Sequence, residues 1–412
     1  MAYKSINDLP EGLISQILLR LPVKSLLQCK SVCKPWLSLI STPHFIKSQL
    51  LHAIKASINT PKLLCIDKPP PTEEELAFEM RMVEMEKNFV TMIDNSDDDH
   101  DRQQRRRRQL VDQALLDAEG QDLSSSAVRF ERLVFPRFFF PYYGVDDCCN
   151  GIVLLSNGFG NHVYFWNPSI RKCRKLPSPE QYTSRVDPVK KGFGYDSISD
   201  AYKFFRIVCE KMYDKVPIVQ VYSTGTDSWR EFRDPILKNY EDFDRRNVVV
   251  NGVLYFDGVD ELISFDLHTE VFGQVPFPSW VTRKGSDVLD FEGSVAMVFQ
   301  SGPEIHLWTL GDVSGQMSWT KKFSIEADSE TEIWLTSYLG AGQFFGKKLF
   351  NEDLFMFNLL YDYRKKEYKF YKRRDKNIWA YLKYTETLVS LDGFEHVDSN
   401  TNNISLTGER RA

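Results

Sequence analysis

The sequence predicts two unlike parts in one chain, a small α-helical unit followed by a much larger all-β domain of repeated four-stranded units. Three observations predict it. Apolar residues recur at helical spacing before residue 50, and again within the charged stretch from Thr72, where Leu76, Met80, Val83 and Phe89 could share one helix face; β-branched and aromatic residues dominate from 128 to 392; and an aromatic-led strand pattern returns five times there. A length of 412 residues agrees, because single cores rarely grow past roughly 250–300 residues.

The helical unit occupies residues 4–50. Asp8 is placed to cap a first helix with Pro10 and Glu11 in its first turn, and Leu9, Leu13, Ile14, Ile17, Leu18 and Leu21 follow at helical spacing. Pro22 ends it, a second short helix runs from Val23 to Cys29, and a third carries Val32, Cys33, Trp36, Leu37 and Ile40 before Pro43. Three such helices are too small to bury their apolar side chains among themselves, and the large residues point to more than one face. The expectation is a partner surface.

Residues 68–127 are strongly charged and of low complexity, with acidic and basic runs segregated (DNSDDDHD, then RQQRRRR), and are expected to be largely disordered. Asp97 to Asp101 is better read as a solvated acidic run than as a metal site, and Arg105 to Arg108 as a charged loop. Residues 393–412 read as a polar, disordered tail.

The β domain, 128–392, repeats an alternating strand, a polar turn and a second strand, often closed by proline. The anchor aromatics Trp166, Tyr222, Phe265, Trp308 and Phe357 stand 56, 43, 43 and 49 residues apart. That is the period of one four-stranded blade in a β-propeller. One small sheet exposes two apolar faces, and closing a ring buries both against neighbours. Five or six blade-like units are expected, completed by Pro61–Asp67 or by the segment around Leu388–Leu391.

Composition and motifs narrow the function. A net charge of -5 argues against a general nucleic-acid binder, and no apolar run is long enough to span a bilayer. Seven cysteines in no zinc-type spacing fit a reducing compartment, so the chain is expected in the cytoplasm or nucleus. The seven histidines are scattered, and nucleophile, phosphate-loop and metalloprotease motifs are missing. Gly340 to Lys348 imitates a phosphate loop but is better read as a glycine-rich blade turn. Asp196 and Asp266 read as turn carboxylates, and Trp229 and Trp319 as core anchors. Neither catalytic nor metal residues nor a cofactor are expected. The dense aromatic run Arg137–Gly144 reads either as a strand entering a blade or as a target-binding patch centred on Phe139, Tyr142 and Tyr143.

Two resemblances sharpen this. Leu9-Pro10, the run from Ile17 to Leu26, Val32-Cys33-Lys34-Pro35-Trp36 and Phe45 closely resemble the F-box. The resemblance implies that Leu9, Pro10, Ile14, Leu18, Pro22, Val23, Leu26, Val32, Cys33 and Trp36 contact a Skp-type adaptor, and through it a cullin. Asn150-Gly151, Trp166-Asn167-Pro168-Ser169, Gly192-Phe193-Gly194-Tyr195-Asp196, Ser228-Trp229-Arg230, Asn251-Gly252, Ser318-Trp319 and Glu386–Leu391 are similar, in order, to the F-box-associated domain of plant F-box proteins, which implies a kelch-like propeller. Together they imply a non-catalytic substrate receptor of an SCF-type ubiquitin ligase that presents a protein target for ubiquitination and degradation. The competing readings are a ligase-independent propeller scaffold, or a sugar-binding or enzymatic propeller with an appended helical segment.

Overall fold

The structure is a computed structural model that describes residues 9–67, 129–136, 139, 143–158, 160–179, 190–208, 216–238, 247–258, 261–277, 287–301, 304–313, 316–326, 331–350, 356–371 and 378–397. The charged stretch expected at 68–127 lies outside the described residues, as do 398–412.

Four helices open the chain, one more than the sequence predicts: α1 (Glu11–Leu18), α2 (Val23–Cys29), α3 (Lys34–Ser41) and α4 (Pro43–Asn59). Pro43 ends α3 as expected, yet it also begins α4. Proline at the first helical position loses only an N–H that the helix could not use, and its fixed φ suits the turn. Thr42 completes the junction, its Oγ1 accepting from Phe45 N at 3.2 Å and donating to Leu39 O at 2.8 Å. Proline precedes α1 as well, so that helix starts at Glu11 with Pro10, not Asp8, in the cap position.

The β domain is a ring. Blade I holds β3 (Gly144–Cys149), β4 (Ile152–Ser156), β5 (Val163–Asn167) and β6 (Lys172–Lys175); blade II holds β7 (Lys190–Asp196), β8 (Ala201–Val208), β9 (Ile218–Ser223) and β10 (Ser228–Arg233). Blade III holds β11 (Asn247–Val250), β12 (Val253–Asp257), β13 (Glu261–Asp266) and β14 (Phe272–Pro276). Blade IV holds β15 (Asp287–Phe291), β16 (Ser294–Ser301), β17 (Glu304–Val313) and β18 (Gln316–Glu326), and blade V β19 (Thr331–Gly340), β20 (Gln343–Phe350), β21 (Met356–Asp362) and β22 (Glu367–Tyr371). Every blade is an antiparallel meander, and the five anchor aromatics all fall on third strands, β5, β9, β13, β17 and β21.

A three-stranded sheet closes the ring. In it β1 (Lys62–Asp67) pairs parallel with β2 (Arg129–Val134) and antiparallel with β23 (Ile378–Tyr384). Residues 61–67 thus serve the ring, whereas Leu388–Leu391 adds no strand. Instead β24 (Glu395–His396) joins the outer edge of blade I, and Val397 is buried, so ordered chain runs past the expected boundary at 392. Glu395 and His396 continue the pairing surface of β6, which a reading based on polarity alone assigns to solvent.

Strand alternation explains the closure. Ile152 and Leu154 face blade II while Val153 and Leu155 face the closing sheet; Tyr202 and Phe204 face blade I while Phe205 and Ile207 face blade III. With a period of two, each strand feeds two cores. A separate apolar cluster fills each of the six gaps among the described sheets, including those on either side of the closing sheet. Small residues set the spacing: a Cβ on Gly192 would collide with Leu254 of blade III and Phe205.

Tight turns join first to second strands at Asn150-Gly151, Asn251-Gly252, Glu292-Gly293 and Ala341-Gly342, all eight residues with positive φ. Two successive left-handed residues suit the strand twist of a two-residue hairpin. The expected phosphate-loop imitation at Gly340 is one of these turns.

Blades II and III are also joined through charge. Lys203, almost fully buried, donates to Leu267 O, lies 2.9 Å from Glu270 Oε1 and 3.7 Å from Asp196 Oδ2. His268 Nδ1 stands 3.1 Å from the same Asp196 oxygen. Burial pushes the Asp196 carboxyl up, but hydrogen bonds from Ser199, His268 and the N–H groups of Ile198 and Ser199 outweigh it and hold the pKa at about 2. An unfolded aspartate titrates near ~3.9. The stabilisation is therefore complete above pH ~4 and disappears as pH falls through ~2. Denaturant unfolding of Asp196→Asn and the parent should show a stability gap at pH 6 that narrows to about a third at pH ~2.5 and closes only below pH ~2. Phe205→Ala, which empties the gap between the same blades, should cost about 3–5 kcal/mol in the same assay.

Candidate functional site

The four helices present two apolar faces. Ile14, Leu18, Val23, Leu26, Ile40 and Phe45 form an inner cluster that also takes in Leu388, with Ile170 against its edge. Leu13, Ile17, Leu27, Val32 and Leu37 remain on the outside, Val32 at 64% exposure. Fully burying an exposed side chain of this size is worth roughly 1.5–3 kcal/mol, so these half-exposed ones each hold about half of that. Isolated exposed leucines are ordinary, but five large apolar side chains left out between residues 13 and 37, with Leu51 and Ile58 of α4 exposed as well, are a concentration that calls for a reason.

The residues expected to contact an adaptor divide between these faces. Ile14, Leu18, Val23 and Leu26 are turned inward, Leu18 only 2% exposed, and serve this chain's own core. Leu9, Cys33 and Trp36 are half-buried, with Leu9 and Trp36 packed on the edge of that core; Pro10, Pro22 and Val32 are exposed. The indole Nε1 of Trp36 is buried without an acceptor among the described residues. Leu13, Ile17, Leu27 and Leu37 join the outer face although the motif resemblance did not single them out. Leu13/Ile17 and Ile14/Leu18 are both pairs at i, i+4 on adjacent stripes. Spacing reveals both stripes but not which one the propeller covers.

What covers it is the stretch Tyr384–Leu391, which leaves β23 and crosses between helices and ring. On the ring side, the Asn167 side chain donates to Thr387 O at 3.1 Å and Val389 O at 2.8 Å, and accepts from Ser169 N at 3.0 Å. Ser169 Oγ meets Tyr384 OH at 2.6 Å. Gly151 lies so close that a Cβ there would collide with Thr387 and the Thr385 carbonyl. On the helix side, buried Gln49 of α4 accepts from Leu388 N at 3.2 Å and donates to Glu386 O at 3.4 Å, and Lys62 pairs with Glu386 at 2.5 Å. Three sequence motifs that look unrelated thus meet on one segment.

The helices lie across the ring face that carries the hairpin turns. Helix α2 contacts the 3-10 turn Pro168–Ile170 between β5 and β6; Ile58 of α4 abuts Gly340 at the end of β19; and Lys47 pairs with Asp200 of the β7–β8 turn at 3.2 Å. The opposite face bears the crossings between blades.

Of the aromatic run before blade I, Phe139 and Tyr143 are among the described residues, between β2 and β3. Phe139 is fully buried and packs with Phe135, Tyr164 and Trp166 between blade I and the closing sheet, so it is core and not a target contact. Its size and position made both readings open; the need to cap the last inter-blade gap decides it. Tyr143 is half-buried against the same cluster, and Tyr142 lies outside the described residues. Trp229 and Trp319 are half-buried latches: each donates its indole N–H to a proline carbonyl of the preceding blade, Pro177 at 2.7 Å and Pro276 at 3.1 Å.

Among the described residues no group of three or more His, Cys, Asp or Glu could hold a metal ion, and no helix is long and apolar enough to cross a membrane. Burial pushes the vicinal thiols of Cys148 and Cys149 up, Cys149 to about 12, which favours the neutral thiol over the thiolate.

Asn167→Ala would leave two carbonyls without a donor, each worth about 1–3 kcal/mol when buried. The expected outcome is a loss of about 2–4 kcal/mol in denaturant unfolding, with Gln49→Ala falling on the same transition because both residues hold one segment.

Comparison with known proteins agrees with this architecture. Residues 6–48 match the F-box domain model, and residues 120–377 match the model of the F-box associated beta propeller domain. An F-box/kelch-repeat protein of Arabidopsis thaliana is 27% identical over 350 residues, covering 81% of this chain and 85% of that one. Two F-box proteins of the same plant are 27% identical over 79% of this chain and 76% of theirs, and 25% identical over 83% and 81%. The structure adds that the ring reaches beyond the matched stretch at both ends, to β1 and to β23. With an F-box ahead of it and the propeller model covering more than half its length, the chain belongs to the family of F-box proteins with an associated β-propeller domain.

Proposed function

We propose that this chain is the substrate-recognition subunit of an SCF-type ubiquitin ligase, docking on a Skp-type adaptor through the outer face of its helices and holding a target protein on its propeller. The observation that carries the reading is the two-sidedness of the helical unit: one face is consumed by the propeller, and the other leaves Leu13, Ile17, Leu27, Val32 and Leu37 uncovered. A unit that needed only to decorate the ring would not keep a second apolar face. Half-buried Cys33 and Trp36, with exposed Pro10 and Pro22, flank that face and complete the adaptor contact.

The chemistry of ubiquitin transfer lies elsewhere in such a complex. This chain contributes proximity, holding the target lysines near the transferring enzyme. That role fits a family whose relatives are F-box proteins, and it calls for no cofactor. The target is held on the face opposite the helices, so that adaptor and target do not compete for space. A cytoplasmic or nuclear setting follows from the same partners.

Val32→Asp with Leu37→Asp should abolish co-purification with a recombinant Skp-type adaptor, a loss of at least about 100-fold in affinity, while the circular dichroism melt stays unchanged. Unchanged adaptor binding would sink the docking claim. Leu18→Asp is the wrong probe, since it places a charge in the inner cluster and unfolds the unit.

A further inference from the structure

The docking face continues onto the propeller. Lys24 and Leu27 share a stripe of α2, and Lys30 and Lys34 flank exposed Val32. Beyond the end of α2 stands the β5–β6 turn, packed against that helix through Ile170. Its next residues are Arg171, exposed and held at φ 52°, and Lys172. Lys30 and Lys172 repel each other across the junction, and half-burial followed by that repulsion holds the Lys30 ammonium below its usual range.

None of these five cations is ion-paired among the described residues. The contrast with the rest of the molecule is informative. Lys47, Lys62, Arg174, Lys191 and Lys203 each have a carboxylate within reach. Glu395 stands one register position from Lys172, opposite Cys173, yet does not pair with it. Lys30 and Lys172 face each other across the α2–propeller contact without a counter-charge among the described residues, which costs free energy, and the repulsion is relieved when an acidic surface arrives.

We infer that Arg171 and Lys172 of blade I, together with Lys24, Lys30 and Lys34, form a basic rim to the apolar docking face and receive an acidic patch on the same adaptor protein that covers Val32 and Leu37. The inference rests on the docking reading above and adds a contact from the propeller to it. The helices supply the apolar centre, where most of the binding energy resides, and the rim accelerates encounter and fixes the partner's rotation about that centre. A contact to both parts also ties the ring's orientation to the adaptor's.

The test measures association of the intact chain with a recombinant Skp-type adaptor at about 0.05 M and about 0.5 M salt, where screening lengths fall from above 10 Å to a few ångströms. Arg171→Glu with Lys172→Glu should slow association about tenfold at low salt, match the parent at high salt, and leave dissociation within about twofold. Lys172→Glu alone serves the same purpose if the double variant fails to fold. Parent-like association at both salts, in a chain whose adaptor binding is lost on Val32→Asp, overturns the rim and leaves the docking reading standing. Adaptor binding that survives Val32→Asp overturns both.

Discussion

The side-chain amide of Asn167 reaches two carbonyls of a segment that has no regular structure of its own, and the arrangement of helices, ring and closing sheet depends on that contact. Within the segment from Tyr384 to Leu391, Thr387 and Leu388 are buried, so the polar groups there must be satisfied by something. Asn167 and Gln49 are the something, one from the ring and one from α4, and each uses both ends of its amide. An asparagine reaches carbonyls that an aspartate would repel, and a glutamine can donate and accept at once. Inter-domain surfaces within a chain are ordinarily mobile. Here a rigid ring strand, a clamped segment and a helix run in series, and the helical unit is held as an extension of the propeller.

Much of this was legible before any coordinates. The five anchor aromatics mark one strand in each blade, because each sits before a polar turn and a return strand; that this is always the third strand emerges only from the sheet order. Asn-Gly pairs stand out in the sequence at Asn150 and Asn251 and prove to join first to second strands, whereas Glu292-Gly293 and Ala341-Gly342 adopt the same conformation with residues that carry no such signal. Helix α4 was hidden by Pro43, which reads equally as a stop and as a start. The residues that the motif resemblance names fall on both sides of the helical unit, because periodicity gives stripes and burial depends on what arrives from residues more than 300 positions away. Phe139 shows the same limit: an aromatic cluster is apolar surface in search of a cover, and only the topology says that the cover is the chain itself.

The ring distributes its stability. Each gap has its own apolar cluster, and a residue in one strand sees at most two of them. Charges reinforce individual gaps, as Lys203 does between blades II and III and Lys191 does between blades I and II, where it lies 3.0 Å from Asp146 and 2.7 Å from Ser156. In such nearest-neighbour architectures, stability is close to a sum over interfaces. A change confined to one interface can then leave the others, and the mounting of the helices, undisturbed.

The closing sheet carries a consequence for how the chain is made. Its central strand, β1, emerges from synthesis right behind the helices, yet its antiparallel partner β23 follows more than 300 residues later. At roughly 5–20 residues per second, that is an interval of about a quarter-minute to a minute during which β1 has an unpaired edge. The clamp for α4 is made later still, because Glu386 and Leu388 lie beyond β23. Helices that form early can therefore be mounted on the ring only when almost the whole β domain has been translated. A ribosome that stalls in blade V leaves an F-box with nothing to hold it in place, so seating of the helices reports that the receptor behind them is whole.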